Sequence, residues 1–384
     1  MARLTRAETQ ERTRARVLAA ARDEFAQSGF RAARIDDIAE RAELTRGAVY
    51  SNFPGKRALY FAVLADLAEH GPATARPAAQ PGHSAPEALG SLARAWVARL
   101  PQPGLGTSTG ADSSAGAGDV ADERGGTARL GVDLIPEVMA DARLRGPYLQ
   151  LLRLDALLLA LALERVHPLE RTPGAPPRRS VRMAETVLTT LHGASRMAAA
   201  APGFIEPFDV ISACEQLAGL ELSDWWAPPT AVPPARRTDD PWAPHEATDL
   251  VTGRPAPLTS DGVVAVLGPH RLSAVEEAVR TAPPGTDVTA VLVAPEPHEA
   301  APLARLVVAE LTSCLREAFP QWAWPRLRVV CDPSGALAAA AGVPGISETT
   351  EAAVGIGAGR ILARAEGSGA CHAVAAASLV TSGP

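Results

Sequence analysis

The sequence predicts a mainly helical protein that ends in a small α/β domain. Apolar side chains recur at three- and four-residue spacing through residues 11–70 and again through residues 86–222, which is typical of packed helices. After residue 260 the pattern changes, because short β-branched runs alternate with helical segments. A length of 384 residues gives room for two or three such domains.

The charge is unevenly distributed along the chain. Residues 1–60 contain twelve Arg or Lys and eight Asp or Glu, a net charge of +4, whereas the whole chain carries −6. A basic N-terminal region, which we call the head, followed by an acidic remainder favours contact between the head and a polyanion such as DNA. The charged N-terminus lacks the apolar core of a secretion signal, and no apolar run is long enough for a membrane span, so we expect a cytoplasmic protein.

Cysteine and histidine spacing gives no sign of a metal centre or of an enzyme. The four cysteines, Cys214, Cys314, Cys331 and Cys371, form no CxxC pair, and the eight histidines show no HxH or HExxH spacing. We therefore predict no metal site, no cofactor and no catalytic residue.

Residues 34–53 have the pattern of two short helices joined by a tight turn. Ile35, Ile38 and Ala42 share one helix face, and Thr45 is a suitable N-cap for a second helix that buries Val49 and Phe53. The outward side chains of that second helix are small, polar or basic, which suits close approach to base edges in a DNA major groove. This arrangement indicates a helix-turn-helix.

The flanking residues extend this unit to residues 11–70. An apolar stripe that includes Val17 and Phe25 predicts a preceding helix ended by Gly29, and Lys56 opens a fourth helix. The run Gly29-Phe30, Ile35-x2-Ile38-Ala39, Thr45-x-Gly47-x-Val49-Tyr50-x2-Phe53-x2-Lys56-x2-Leu59 resembles the DNA-binding domain of the tetracycline-repressor (TetR) family. The resemblance covers about 50 residues and implies a regulator of transcription.

The resemblance also implies which residues approach DNA. The matching positions are Arg34, Thr45, Arg46, Gly47, Ala48, Tyr50, Ser51, Asn52 and Lys56. Arg46 can bond guanine O6 and N7, whereas Tyr50 and Lys56 are expected to hold phosphates. Two positions depart from the family: Arg34 stands where a capping Ser or Thr is usual, and Glu43 stands where the turn favours Gly.

Residues 71–226 are predicted to form a helical body. Helices are expected over residues 86–100, 144–166, 179–200 and 207–222, with a disordered insertion at 101–128 and a mobile basic arm at 1–10. The resemblance implies that the last two helices form a homodimer for a palindromic operator and that the body binds a small-molecule effector. Trp96, Met139, Tyr148 and His192 are candidates for its pocket, although each also suits a plain core.

The remainder, residues 227–384, is an addition to that family pattern. Eight prolines predict a semi-rigid linker at 227–257, and residues 258–384 predict an α/β domain. The stretch 329–367 resembles the second half of a thioredoxin-like fold, but Gly268-Pro269-His270-Arg271 stands where a redox CxxC would be. The Gly355-x-Gly357-x-Gly359 run lies between two strands, which favours a hairpin turn over a nucleotide-binding loop.

Two functions follow as hypotheses. The leading one is a ligand-responsive TetR-type repressor that binds operator DNA as a homodimer. The alternative is a redox-linked regulator or thiol oxidoreductase acting through the thioredoxin-like tail, with Cys331 or Cys371 as the sensing thiol.

Overall fold

The computed structural model describes residues 5–70, 81–100, 130–166 and 179–381. Its helices are α1 (Arg6–Ala32), α2 (Ile35–Arg41), α3 (Arg46–Asn52), α4 (Lys56–His70), α5 (Ala85–Val97), α6 (Leu134–Ala140), α7 (Ala142–Val166), α8 (Val181–Ala200), α9 (Pro207–Leu217), α10 (Val275–Thr281), α11 (Pro297–Ala318), α12 (Ala336–Ala340) and α13 (Ala370–Thr381). Its strands are β1 (Arg236–Pro241), β2 (Thr248–Asp249), β3 (Arg254–Pro255), β4 (Gly262–Leu267), β5 (Asp287–Leu292), β6 (Leu327–Cys331), β7 (Glu351–Gly357) and β8 (Arg360–Glu366). The insertion predicted at 101–128 lies outside the described residues.

The first helix begins at a capping box. The Thr5 hydroxyl accepts a hydrogen bond from the Glu8 amide at 3.2 Å, and the Glu8 carboxylate accepts one from the Thr5 amide at 2.6 Å. The mobile arm predicted for residues 1–10 is therefore wrong from Thr5 onward, since these bonds satisfy free amides at the start of α1. Near its other end α1 kinks at Gly29, whose φ of 73° is a conformation that glycine adopts without strain.

Helix α7 occupies the centre of the helical body. It contacts α5, α6, α8 and α11, and its Leu154, Leu158 and Leu159 are fully buried. By length and composition alone α7 could span a bilayer, but 61% of its most apolar window is buried inside the protein. Packing in the protein core therefore accounts for its leucines.

Three of the four candidate pocket residues lie inside this body. The Trp96 indole donates to the Ser195 hydroxyl at 2.8 Å, and its ring centroid is 5.0 Å from that of His192. Tyr148 on α7 packs against the same core. Met139 is 65% exposed on α6, so it does not face the interior.

The C-terminal part of the chain forms a six-stranded mixed sheet in the order β1-β8-β7-β4-β5-β6. Strands β4, β5 and β6 are parallel neighbours because α10 and α11 return the chain between them, whereas β7, β8 and β1 pair antiparallel. Strands β4 and β5 are buried almost throughout, as expected for strands with both faces covered.

The segment 227–257, whose prolines predict a linker, is partly built into this sheet. Strand β1 pairs with β8 at the sheet edge, and the following Trp242 is buried with its indole donating to the Leu258 carbonyl at 2.7 Å. The buried Asp249 carboxylate accepts from the Val251 and Val329 amides, both at 3.1 Å. The linker prediction is therefore wrong from Arg236 onward. Its prolines did not exclude a strand, because an edge strand tolerates a proline that a central strand would not.

The tail is fastened to the helical body. Helix α11, which connects β5 to β6, packs against α4, α5 and α7, so one apolar core runs through head, body and tail. On another side the Arg280 guanidinium donates to both oxygens of Glu164 at 2.7 and 2.9 Å and lies 3.2 Å from Glu276. Arg179 also donates to both oxygens of Glu276, at 2.7 and 2.8 Å.

Candidate nucleic-acid interface

Helices α2 and α3 are held at a fixed angle by a small apolar core and a strained turn. Ile38, Val49 and Phe53 are buried in the same apolar core as Val17 and Phe25 of α1. Between the helices Glu43 has a φ of 51°, the left-handed conformation predicted at this non-glycine position. The Arg16 guanidinium from α1 donates to the Ala42 carbonyl at 2.6 Å and lies 3.2 Å from the Glu43 carboxylate. This arginine holds the turn and offsets its negative charge.

Helix α3 presents the side chains that the sequence assigns to DNA. Thr45 caps it by accepting from the Ala48 amide at 3.2 Å. Arg46, Gly47, Tyr50 and Ser51 are exposed, while Ala48 and Asn52 are half-buried. The Ser51 hydroxyl and the Asn52 amide nitrogen both donate to the Ala48 carbonyl at 2.9 Å, which leaves the Asn52 amide oxygen free to accept.

Asp36 holds the two arginines of this surface. Arg46 lies 3.3 Å from one Asp36 oxygen and Arg34 lies 3.8 Å from the other, and both side chains are largely exposed. The Arg46 guanidinium also sits 5.5 Å from the Tyr50 ring centroid. Tyr50 and the Asp36 carboxylate together raise the pKa of Arg46. Because an arginine stays charged in proteins whatever its partner, Arg46 can exchange Asp36 for a base edge and keep its charge. Arg34 is the N-cap residue of α2 but makes no side-chain capping bond.

Lys56 lies where the end of α1 meets α4. Its ammonium donates to the Arg31 carbonyl at 3.0 Å and lies 4.8 Å from the Phe30 ring centroid. Burial lowers its pKa, while the charges of Glu137 and Asp133 act in the opposite direction. The single lysine of the chain thus joins two helices of the head and keeps two further N–H groups for an outside acceptor.

Sequence reasoning missed two arginines of this region. The Arg14 guanidinium of α1 sits 4.4 Å from the Phe53 ring, beside the end of α3. Arg57 lies 2.9 Å from Asp141 and 2.6 Å from Glu299, which ties α4 to the body and the tail at once. Further along α4, Glu69 accepts two hydrogen bonds from Arg305 of α11, one of them at 2.8 Å. These partners are far apart in sequence, so no local pattern could have indicated them.

Comparison with known proteins agrees with this geometry in the head. The family described as "Bacterial regulatory proteins, tetR family" matches residues 17–63. A stretch of 65 residues is 49% identical to the HTH-type transcriptional regulator SrpR of Pseudomonas putida, covering 17% of this chain and 30% of that protein. The same identity over 65 residues links it to the uncharacterized HTH-type transcriptional regulator TtgW, also of Pseudomonas putida, covering 17% of this chain and 48% of that protein.

The similarity to these curated relatives thus spans less than half of either protein. One solved structure, native NalD, the secondary repressor of the MexAB-OprM multidrug efflux pump in Pseudomonas aeruginosa, is 18% identical. The match covers 56% of this chain and 100% of that chain, with a TM-score of 0.24. The capped α3, the Glu43 turn and the family match at residues 17–63 together identify the head of this chain as a TetR-family helix-turn-helix domain.

Proposed function

We propose that this chain is a DNA-binding transcriptional regulator, a repressor that binds a palindromic operator as a homodimer and releases it when a small molecule enters the helical body. The observation that carries the proposal is the exposed face of α3, where Arg46, Gly47 and Tyr50 stand free of the core on a capped, rigidly seated helix. A ligand in the body would act through its different affinities for the DNA-bound and free arrangements. The protein would do this in the cytoplasm.

The test of DNA binding is selection of bound fragments from a genomic pool, followed by gel-shift titration of Arg46→Ala and Lys56→Met. We expect Arg46→Ala to cost about 1–3 kcal/mol and to relax preference at one operator position, because it removes a base contact. Lys56→Met keeps the side-chain stem over Phe30 but removes the charge. It should therefore weaken binding to all DNA sequences alike and lower the slope of log affinity against log salt concentration by about one per half-site. A changed sequence preference in Lys56→Met but not in Arg46→Ala would refute the assignment, and a wild-type protein that selects no fragment would refute DNA binding.

The proposed dimer uses α8 and α9, which leave large apolar side chains uncovered. Met197 on α8 is 41% exposed, Phe204 between the helices is 70% exposed, and Phe208 on α9 is 77% exposed. Apolar area of this kind on adjacent helices indicates a surface that a second copy covers. The two-fold axis would place two α3 helices against successive half-sites.

A charge placed in that surface should break the dimer. We expect Phe208→Glu to convert the protein to monomers in size-exclusion chromatography with light scattering and to weaken operator binding at least tenfold, since each head then binds alone. Met139→Glu is the matched control, because Met139 is 65% exposed on α6, away from α8 and α9. If Phe208→Glu stayed dimeric while Met139→Glu became monomeric, the interface would not be the surface of α8 and α9.

For the tail we propose a thioredoxin-like arrangement without thiol chemistry. The order β5-β4-β7-β8, with β7 antiparallel to β4, and the helix after β8 support the resemblance. Burial raises the pKa of Cys214 to about 11 and of Cys314 and Cys331 to about 12, and it raises the pKa of Cys371 well above its usual value. A redox site needs the opposite shift, so nothing here supports the oxidoreductase alternative.

A further inference from the structure

A cleft of about 1020 Å³ lies between the head and the tail. On the head side it is lined by Arg14 of α1, by the end of α3 with the two residues that follow it, and by the end of α4. On the tail side it is lined by one face of α11, the loop after β6 and the region of β2. Cavities of this size take small organic molecules, and in open α/β sheets they occur where parallel strands end, as β6 does here.

The cleft contains two arginines that lack an acidic partner within the described part of the chain. Nine arginines of that part are half-buried, and seven of them lie at ion-pair distance from a carboxylate: Arg57, Arg179, Arg271, Arg280, Arg305, Arg328 and Arg364. The other two are Arg14 of α1 and Arg316 of α11, and both line this cleft. A half-buried charge without a counter-ion costs free energy, so the presence of both in one cavity calls for an explanation.

Contacts with the described residues leave most N–H groups of these two side chains unused. The Arg14 guanidinium sits 4.4 Å from the Phe53 ring centroid and makes no hydrogen bond with the described residues. Arg316 donates one bond, from Nη1 to the Val251 carbonyl at 3.0 Å. A guanidinium has five N–H groups, so four remain on Arg316. Burial lowers the pKa of both side chains, as expected for a desolvated charge that its surroundings do not offset.

The carboxylates that also line the cleft do not repel an anion strongly. Glu69 accepts two hydrogen bonds from Arg305, which compensates its charge. The Asp332 carboxylate accepts the first three amides of α12 at 3.0, 2.8 and 3.0 Å. Glu246 is exposed, so water and salt screen it. An anion in the cleft therefore meets unpaired guanidiniums, while the acidic groups are either paired or screened.

The two unpaired guanidiniums lie apart along the cleft. Arg305 and Arg316 share the face of α11 that lines it, three turns and about 16 Å from each other. Arg14 is close enough to Arg305 for that charge to lower its pKa further. One acidic group therefore cannot bond both Arg14 and Arg316. Much of the remaining lining is apolar and includes Phe53, Pro54, Leu250, Ala301, Pro302, Ala309 and Leu337.

We propose that this cleft binds an elongated organic dianion with an apolar body, whose acidic groups are carboxylates or phosphates. One acidic group binds Arg14 and the other binds Arg316, because a guanidinium can hold either kind of group through two parallel hydrogen bonds. The apolar body lies against Pro302 and Ala309 of α11. Arg14 belongs to the head and Arg316 to the tail, so the site is incomplete without the tail. It is separate from the effector site proposed in the helical body, and binding there does not require DNA.

The test uses calorimetry on the full chain with three probes of equal chain length: decanedioate, decane-1,10-diyl bisphosphate and the neutral 1,10-decanediol. We expect at least one dianion to bind at least tenfold more tightly than the diol, with an affinity that falls as salt is added. The tighter of the two dianions assigns the acidic group as carboxylate or phosphate. Equal binding of dianions and diol, or no binding of either dianion at about 1 mM, overturns the proposal.

Substitution of the two arginines locates the site. Arg14→Met and Arg316→Met should each weaken the dianion at least tenfold and leave the diol unchanged, because each removes one charged partner. Arg316→Lys should recover part of the loss, since it restores the charge. Arg237→Met is the matched control: Arg237 is exposed on β1, at the sheet edge opposite β6, and its loss changes the net charge equally. Equal weakening in all three methionine variants would show an effect of net charge and refute the site.

Two further measurements keep the outcomes separate. Thr248→Glu adds a negative charge at an exposed residue of the cleft lining, so it should weaken the dianion without lowering the melting temperature. A Thr248→Glu variant that binds the dianion as the wild type does refutes this location, even if an arginine variant fails to fold. Operator binding is measured on the same preparations without probe. Operator binding without dianion binding refutes this site alone, whereas dianion binding without operator binding refutes the proposed regulator and leaves the site standing.

Discussion

A chain that ends at residue 226 is expected not to fold, although the helix-turn-helix and most of the helical body lie before that point. Helix α11 of the tail buries Leu303, Leu306, Val307, Leu311 and Leu315, each at most 3% exposed, and its removal uncovers the faces of α4, α5 and α7 that it contacts. Each large apolar side chain contributes about 1.5–3 kcal/mol on burial, so five of them match a typical total stability of about 5–15 kcal/mol. Far-UV circular dichroism and size-exclusion chromatography of residues 1–226 should show an unfolded or aggregated chain with no operator binding.

The control keeps every residue and breaks one peptide bond. A protease site inserted between Pro228 and Pro229, in a largely exposed stretch before β1, allows the folded protein to be cut. The two pieces should stay together as one particle and keep operator affinity within twofold, because the core and the ion pairs that join them are unchanged. A truncated chain that binds the operator as well as the full chain would show that the tail is dispensable.

Loss of the Arg280 guanidinium is the single substitution with the largest expected effect on stability. In Arg280→Met the side-chain stem remains, but the Glu164 and Glu276 carboxylates lose a partner whose own side chain is only 10% exposed. Breaking a buried ion pair costs about 3–5 kcal/mol, because the remaining charge stays desolvated. Urea unfolding measures this loss. Arg360→Met is the matched control: Arg360 and its partner Asp239 are 44% and 74% exposed, so about 0–1 kcal/mol is expected.

The ion pairs of Glu276 also predict that the free energy of unfolding depends on pH. Burial alone would raise the pKa of Glu276, but the hydrogen bonds and charges of Arg179 and Arg280 outweigh it and hold the pKa below its usual value. The resulting stability is fully present above the ordinary carboxyl pKa of about 4.3 and is lost as pH falls through the lower folded pKa. The difference in the free energy of unfolding between the wild type and Arg280→Met should therefore become smaller below pH 4. Equal losses for Arg280→Met and Arg360→Met at neutral pH would mean that the network contributes no more than a surface pair.

The head could be read from the sequence because its signals are local. Thr45, Val49 and Phe53 specify a capped helix and its buried face within nine residues, and the departure at Glu43 correctly indicated a strained turn. The capping box that starts α1 was also readable, since Thr5 is followed three residues later by Glu8. The mobile-arm prediction overlooked this signature. The roles of the α3 side chains toward DNA stay predictions.

The tail was harder to predict because its determinants are distant contacts. Prolines around β1 hid an edge strand whose partner, β8, lies more than a hundred residues later. The seat of α11 on α4 depends on pairs such as Arg57 with Glu299, which are 242 residues apart. Only the folded chain shows that Arg14 and Arg316 line one cleft without an acidic partner among the described residues. Such features arise from tertiary packing, which residue periodicity does not report.

The two anchors of α4 make that helix a lever. Its 15 residues span about 22 Å, with Glu69 tied to Arg305 near one end and Arg57 tied to Glu299 and Asp141 near the other. If the Glu69 end serves as the fulcrum, a tilt of about 5° displaces the Lys56 end by about 2 Å, and a two-fold partner moving oppositely doubles this to about 4 Å. Successive half-sites on DNA are about 34 Å apart, so a shift of that size is enough to put one of two α3 helices out of step with its groove. A small movement of α11 at Glu299 would thus be passed through Arg57 to the end of α4 that adjoins α3, without loss of amplitude.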